Sequence, residues 1–157
     1  MRAYYSVHVH GDRPQGCCAN RAIQKTTQDK EQGPGMQTTF PQLLQQHAAA
    51  RPSEPAMREK EYGIWQSLSW ADLATMVTHL AAGLHQAGLR RGEHMVVVGS
   101  NRPRLYATML AVQSLGAIPI PLYQDAAALE CVFPINNAEV RFAFAEDQEQ
   151  VDKLLEI

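Results

Sequence analysis

The 157-residue sequence predicts an α/β fold, a partial doubly wound parallel sheet with helices on both of its faces. Three observations support this class. Segments with helical periodicity alternate along the chain with short apolar runs. These runs show no polar alternation, as expected for strands that are buried on both faces. Glycines end two of the predicted helices. Parallel strands that are joined through helices form right-handed crossovers.

The first 35 residues differ in composition from the rest of the chain. They are polar, contain several glycines and prolines, and lack both helical and strand periodicity. A segment of this kind has little apolar surface with which to offset the entropy of ordering. Residues 1–35 are therefore predicted to be a disordered extension, and residues 36–157 to form a truncated domain. Either Met1 or Met36 is the native start.

The first ordered elements are predicted to be a helix and a small hairpin. The helix follows a threonine cap at Thr38 or Thr39. Its apolar positions recur at helical spacing and are Phe40, Leu43, Leu44, His47 and Ala48. Two short strands follow at residues 55–58 and 64–68, and residues 61–63 are of the types that form turns. They predict a β-hairpin.

A longer helix is predicted after this hairpin. Ser69 lies three residues before Asp72, the spacing of a capping box, and marks the helix start. The apolar stripe of the helix consists of Leu73, Met76, Val77, Leu80, Ala81 and Leu84. Gly88 provides a C-terminal cap and Leu89 the apolar contact that accompanies such caps.

The next segment contains two strands with a helix between them. Residues 95–98 form a continuous apolar run typical of a buried strand. Pro103 suits the first turn of the following helix, which is expected to end near Leu115. The second strand, residues 118–122, contains Pro119 and Pro121, and proline is tolerated in a strand only at a sheet edge or a strand end.

A further helix, strand and helix complete the chain. A helix is expected at residues 126–137. Its apolar side chains on one side are Leu129, Val132 and Phe133. Pro134 should kink or shorten this helix. Residues 140–145 predict a third parallel strand, and residues 148–157 a final helix. Three parallel strands are too few to complete such a sheet, so we expect the chain to be a piece of a longer domain.

Composition excludes several classes of function. The chain is 45% hydrophobic and 19% charged, with a formal net charge of -2 and no cluster of basic residues, so a nucleic-acid partner is not expected. No apolar run approaches the roughly 20 residues that cross a bilayer, so no transmembrane segment is predicted, and peripheral membrane association stays open. Three cysteines without paired spacing indicate a reducing, cytoplasmic location.

The sequence predicts no catalytic residue and no metal site. Gly99, Ser100 and Asn101 join a buried strand to a helix, where a phosphate could bind, but the chain has neither nucleotide-binding glycine fingerprint. We therefore expect a turn in which Ser100 or Asn101 caps the helix. The Ser, His and acidic residues lie at turns and caps, outside any known catalytic motif, and are expected to be solvated surface.

From Thr39 onward the sequence resembles the N-terminal subdomain of AMP-forming (adenylate-forming) acyl-CoA synthetases, most of all the long-chain fatty-acid CoA ligases. The resemblance rests on SLSWADL at 67–73, on GL followed by RGE within 88–93, on VGSNRP at 98–103 and on GAIPIPLY at 116–123. It also accounts for two prolines in a predicted strand. The sequence departs from the family where QDA at 124–126 replaces a turn that often contains threonine.

The resemblance implies that the parent enzyme joins a fatty acid to CoA with ATP and Mg²⁺, releasing AMP and pyrophosphate. The family's phosphate loop, adenine and Mg²⁺ contacts, hinge and catalytic lysine are expected beyond Ile157, so the fragment alone should be inactive. The family's CoA path would place Tyr123, Gln124 and Asp125 near CoA, unless they form an ordinary strand-to-helix loop. The alternative function is a non-catalytic, stand-alone binding module derived from such an enzyme.

Overall fold

A computed structural model describes residues 5–8 and 38–157. In chain order the elements are β1 (Tyr5–His8), α1 (Phe40–Ala50), β2 (Pro55–Glu61), β3 (Ile64–Ser69), α2 (Trp70–Gln86), β4 (His94–Val98), α3 (Pro103–Ser114), β5 (Ile118–Leu122), α4 (Ala128–Asn137), β6 (Phe142–Ala145) and α5 (Gln148–Leu155). The main sheet has the order β1-β6-β4-β5, and β2 and β3 form a separate hairpin. Strands β5 and β6 both run parallel to β4.

The central strand β4 separates two apolar cores. Met95 and Val97 belong to the larger core, which α1, α2 and α3 cover. Val96 and Val98 belong to the smaller core on the other face, which includes Val151 and Leu154 of α5 and, half-buried, residues of α4. Because both faces of β4 are covered, its sequence needs no polar alternation. The predicted fold class, a partial doubly wound sheet with helices on both faces, is confirmed.

Both predicted ends of α2 are confirmed by their hydrogen bonds. At the start, the Asp72 N–H donates to Ser69 Oγ at 3.2 Å, and the Ser69 N–H donates to Asp72 Oδ2 at 3.3 Å, which completes a capping box. At the other end, Gly88 has a φ of 105° and the Leu89 N–H donates to the Leu84 carbonyl at 3.0 Å. This is a Schellman motif, and the side chain of Leu89 is fully buried.

The two prolines of β5 lie at the sheet edge, as predicted. Successive residues of a strand direct their backbone groups to opposite sides. The Ile118 N–H donates to the Glu93 carbonyl at 2.9 Å, toward β4. Pro119 and Pro121 therefore occupy the alternate positions, where the missing N–H would point away from β4, so the ladder loses no donor.

The hairpin is longer than predicted and turns over two residues. Tyr62 has a φ of 50° and Gly63 a φ of 81°, the left-handed pair that a type I′ turn requires. Such a turn matches the natural twist of the flanking strands, so pairing extends from Glu61–Ile64 to Pro55–Ser69.

Two predicted apolar faces are wrong in detail. Phe40 lies exposed at the start of α1, whereas Leu44 is its buried residue. In α4, Leu129 and Phe133 are exposed, whereas Cys131 is buried and Ile135 packs against the smaller core. Residues 131 and 135 are one helical turn apart, so they share the face that the sheet covers, and Leu129 and Phe133 share the face turned to solvent. Pro134 lies within α4, which ends at Asn137 as predicted.

Four residues of the segment predicted to be disordered, residues 1–35, form the strand β1. Tyr5–His8 pairs antiparallel with β6, from Tyr5 opposite Ala145 to His8 opposite Phe142. The physical reason is the outer edge of β6, which offers a row of backbone donors and acceptors to any extended segment of the chain. The rest of residues 1–35 lies outside the described residues. Among those that are described, no helix combines the length and hydropathy of a bilayer-spanning segment.

Candidate functional site

Three loops meet at the edge of the sheet where β4, β5 and β6 end. The chain leaves β4 for β5 on one side and then crosses to β6 on the other side of β4. The crossovers therefore diverge at the carboxyl end of β4. In open α/β sheets, ligands bind in the crevice that such a switch point creates. This edge is the candidate site.

Glu146 is the buried charged residue of this edge, with a relative exposure of 3%. Its Oε2 accepts hydrogen bonds from both the backbone N–H and the hydroxyl of Ser100. Its own N–H donates to the Val98 carbonyl at 3.1 Å. One carboxylate therefore joins the loop after β4 to the loop after β6. Sequence reasoning missed Glu146, because a polar residue after a strand is ordinarily solvated.

Arg102 extends this network to the hairpin. Its Nε lies 3.7 Å from Glu146 Oε1, and its Nη1 lies 3.4 Å from Glu59 Oε2 on β2. The guanidinium thus links two carboxylates that are distant in sequence, and its planar group of donors suits this arrangement. We refer to Ser100, Arg102, Glu146 and Glu59 as the carboxyl-edge network.

The expectation that Ser100 or Asn101 caps α3 is wrong. The N-cap residue is Arg102, and no side chain caps the helix there. The Ser100 hydroxyl donates to Glu146, and Asn101 Oδ1 accepts a hydrogen bond from the Tyr106 hydroxyl. Pro103 occupies the first helical position, as predicted. The Ser100 N–H that could hold a phosphate instead holds an internal carboxylate, which favours a structural role for this loop.

Gly99 is required by the close approach of Glu146. A Cβ added at Gly99 would lie 2.7 Å from Glu146 Cβ and 2.9 Å from its Oε2. We expect Gly99→Ala to lower the free energy of unfolding by about 2 kcal/mol, since a well-packed region must shift to admit the methyl group. Urea denaturation followed by circular dichroism measures the change.

Gly83 in α2 is the matched control for that substitution. A Cβ at Gly83 meets nothing within 4 Å, and the residue lies inside a helix. Gly83→Ala should therefore raise the free energy of unfolding, by up to about 1 kcal/mol. Equal effects of the two substitutions would show that contact with Glu146 does not restrict position 99.

The loop after β5 contains the three residues that the resemblance placed near CoA. Tyr123 and Asp125 are exposed, and Gln124 is partly buried. The Lys153 side chain of α5 donates to the Gln124 carbonyl, which brings an ammonium group to this loop. The structure therefore places Tyr123, Gln124 and Asp125 together on the carboxyl side of the sheet, beside a cation that sequence reasoning did not single out.

The described residues do not form a metal centre. No three histidine, cysteine or carboxylate side chains come together within the described part of the chain. Both oxygens of Glu146 are engaged by Ser100 and Arg102. Cys131 is a buried free thiol on α4. These residues therefore do not fit a Mg²⁺ ion, which requires several carboxylate or water oxygens around it.

An apolar groove runs along α2, between this helix and residues of β3, α3 and β6. Its volume is about 650 Å³, and it is lined by residues of β3, α2, α3 and β6. Met76, Leu80 and Phe144 provide apolar lining, and Asp72 and Arg104 provide polar groups.

Comparison with known proteins identifies the family. Residues 44–157 match the model of the AMP-binding enzyme family. The mouse long-chain-fatty-acid–CoA ligase ACSBG2 is 28% identical over 125 residues, which are 78% of this chain and 19% of that protein. The uncharacterized protein Rv1549 of Mycobacterium tuberculosis is 30% identical over 117 residues, 74% of this chain and 65% of that protein.

Solved structures show the same fold. The N-terminal subdomain of NpsA from Klebsiella oxytoca superposes with a TM-score of 0.61 at 21% identity, over 66% of this chain and 26% of that chain. The crystal structure of IdnL1 gives 0.61 at 24% identity, over 64% and 21%. This chain spans about a fifth of the length of the mouse ligase. The resemblance to adenylate-forming enzymes is confirmed, and the chain belongs to the AMP-binding enzyme family.

Proposed function

We propose that this chain is the N-terminal portion of an ATP-dependent long-chain fatty acid–CoA ligase. The observation that carries the proposal is the family match over residues 44–157, together with relatives from mouse, rat, human and two mycobacteria that are named long-chain-fatty-acid–CoA ligases. An indoleacetate–CoA ligase of Aromatoleum aromaticum is 34% identical over 79 residues. These names share the class of acyl-CoA ligase and differ in the carboxylate.

The proposed reaction has two steps. A fatty-acid carboxylate oxygen attacks the α-phosphorus of ATP, the bond to the β-phosphate breaks, and pyrophosphate leaves. The CoA thiolate then attacks the acyl carbon, a C–S bond forms, and AMP leaves with the former carboxylate oxygen. Positioned cations and N–H groups must stabilise the charge that develops on the phosphates.

This chain contributes the framework of that site rather than its chemistry. The carboxyl-edge network fixes the loops after β4 and β6 relative to each other and to the hairpin. The described residues offer Mg²⁺ no ligand set, so the metal and phosphate contacts belong to other segments of the proposed enzyme. Tyr123, Gln124 and Asp125 are proposed to lie along the CoA path, where an aromatic ring and the nearby Lys153 suit a nucleotide.

Pyrophosphate exchange tests the proposal. The full product of the gene that encodes this chain should exchange labelled pyrophosphate into ATP when a long-chain fatty acid is present. Residues 1–157 alone should catalyse no exchange and should show no heat of ATP binding, because they lack a phosphate loop and a cation cluster. If indoleacetate supports the exchange and a long-chain fatty acid does not, the proposed substrate class is wrong. The family assignment would not change.

Two observations favour a second candidate, a non-catalytic binding module. Prolines in β5 protect one edge of the sheet, and on the other side β1 covers the outer edge of β6 and is itself the edge strand. The apolar groove on α2 provides a surface for a partner. A full gene product that unfolds cooperatively as a monomer and exchanges no pyrophosphate with any carboxylate would support this candidate over the ligase.

A further inference from the structure

The tip of the β2–β3 hairpin exposes three large apolar side chains within four residues. The relative exposures are 92% for Tyr62, 65% for Ile64 and 66% for Trp65. All residues from 60 to 67 are exposed. Scattered exposed apolar residues are ordinary on a protein surface, whereas adjacent aromatic and aliphatic groups at a projecting turn indicate an interaction site.

The turn adopts a conformation that is unfavourable for an aromatic residue. Tyr62 has a φ of 50°, in the left-handed region, where Asn, Asp and Gly are the usual first residues of a type I′ turn. A bulky side chain is rare at such a position. This backbone strain supports a role for the Tyr62 side chain other than folding.

Charge is divided between the two faces of the hairpin. Cross-strand partners lie on the same face, so Lys60 shares a face with Trp65, and Arg58 shares that face with Ser67. The acidic residues Glu59 and Glu61 alternate with these cations and belong to the other face, where Glu59 pairs with Arg102. One face of the hairpin therefore combines two cations with an exposed indole, and Ile64, opposite Glu61, lies on the other face.

The base of the hairpin is held firmly while its tip is not covered. Met57 and Leu68 pack against the larger core, and Glu59 is joined to Arg102. The tip is thus a small, convex projection on a fixed support. A stable protein interface needs about 800 Å² from each partner, which a turn of this size does not offer.

We propose that the β2–β3 hairpin tip binds the surface of an anionic phospholipid bilayer. Tyrosine and tryptophan rings are favoured at the level of the lipid headgroups because one end is apolar and the other polar. Ile64 provides an aliphatic group for the acyl boundary, and Arg58 and Lys60 complement anionic headgroups. The inference rests on the geometry of the hairpin and does not depend on the proposed ligase reaction.

Vesicle co-sedimentation tests the proposal with the 157-residue chain. Vesicles of phosphatidylcholine and phosphatidylglycerol in equal parts should bind the chain, and vesicles of phosphatidylcholine alone should bind it several-fold less. Binding should weaken with added salt, because the attraction between charges on a surface is screened. Tryptophan emission should shift to shorter wavelength on binding as Trp65 leaves water.

Matched variants distinguish vesicle binding through the hairpin tip from nonspecific binding through other exposed aromatic side chains. The double variant Tyr62→Gly and Trp65→Ser should lower vesicle binding roughly tenfold, since apolar contact drives interfacial binding. It should also abolish the emission shift, because the remaining Trp70 packs against His47 and Arg51. Phe133→Ser removes another aromatic side chain, 75% exposed on α4, and should leave binding unchanged.

Three results would overturn the proposal. The first is an absence of vesicle binding by the unmodified chain. The second is an equal loss of binding in Phe133→Ser and in the tip variant. The third is self-association of the chain that the tip variant abolishes, which would identify the tip as a protein contact. Circular dichroism of each variant verifies that it is folded, and Tyr62→Gly should not destabilise the turn because glycine tolerates a positive φ.

Discussion

Glu146→Ala is expected to lower the free energy of unfolding by about 3 kcal/mol. The substitution removes the acceptor of the Ser100 N–H and hydroxyl and one of the two carboxylates near Arg102. It also leaves a space between the loops after β4 and β6, where the residue is almost completely buried. The melting temperature should fall by about 10 °C, given the usual relation between stability and melting temperature in a domain of this size.

Glu130→Ala is the control for that measurement. Glu130 accepts a hydrogen bond from the Ala127 N–H at 3.0 Å, but it is exposed at the start of α4. Its loss should cost less than about 1 kcal/mol, the value for an ordinary helix cap. If the two alanine variants unfold at the same urea concentration, burial of Glu146 makes no special contribution to stability.

Removing residues 1–8 should increase self-association of the chain. The deletion exposes the outer edge of β6, whose sequence is apolar and uncharged over Phe142–Ala145. Uncovered strands of this kind pair with the same strand of another molecule. The opposite sheet edge cannot take part in the same way, because β5 contains Pro119 and Pro121. Sedimentation velocity at increasing protein concentration measures the association.

A deletion of equal length from within residues 9–37 is the control. It shortens the chain equally and leaves β1 in place, so that protein should associate no more than the unmodified chain. Hydrogen exchange provides a second measurement, because the amides of β6 that pair with β1 should exchange faster only in the first deletion. A monomeric protein with unchanged exchange in β6 would show that β1 does not protect this edge.

Sequence was most informative where local chemistry determines the backbone. The Ser69–Asp72 capping box and the cap at Gly88 and Leu89 depend only on residues that are close in sequence, and both form as predicted. The prolines of β5 indicated an edge strand for the same kind of reason. Proline restricts its own strand regardless of what the rest of the chain does.

Sequence was least informative where distant residues meet. Glu146 is buried because Ser100 and Arg102, more than 40 residues earlier, supply its hydrogen bonds and counter-charge. The inward face of α4 is determined by its position on the sheet, so Cys131 is buried and Leu129 is not. Neither arrangement has a signal in a single sequence. The predicted site residues near CoA were found by resemblance, and their role stays a prediction.

The pairing of β1 with β6 also affects when the sheet is completed during folding. Tyr5 pairs with Ala145, which lies 140 residues later in the chain. Contacts between residues so far apart form slowly, because a large loop must close first. During synthesis β1 is made long before β6, and its pairing with β6 must wait until β6 is complete. After β6 is made, its outer edge stays open to other chains until β1 pairs with it, so association is a greater hazard for newly made molecules than for folded ones.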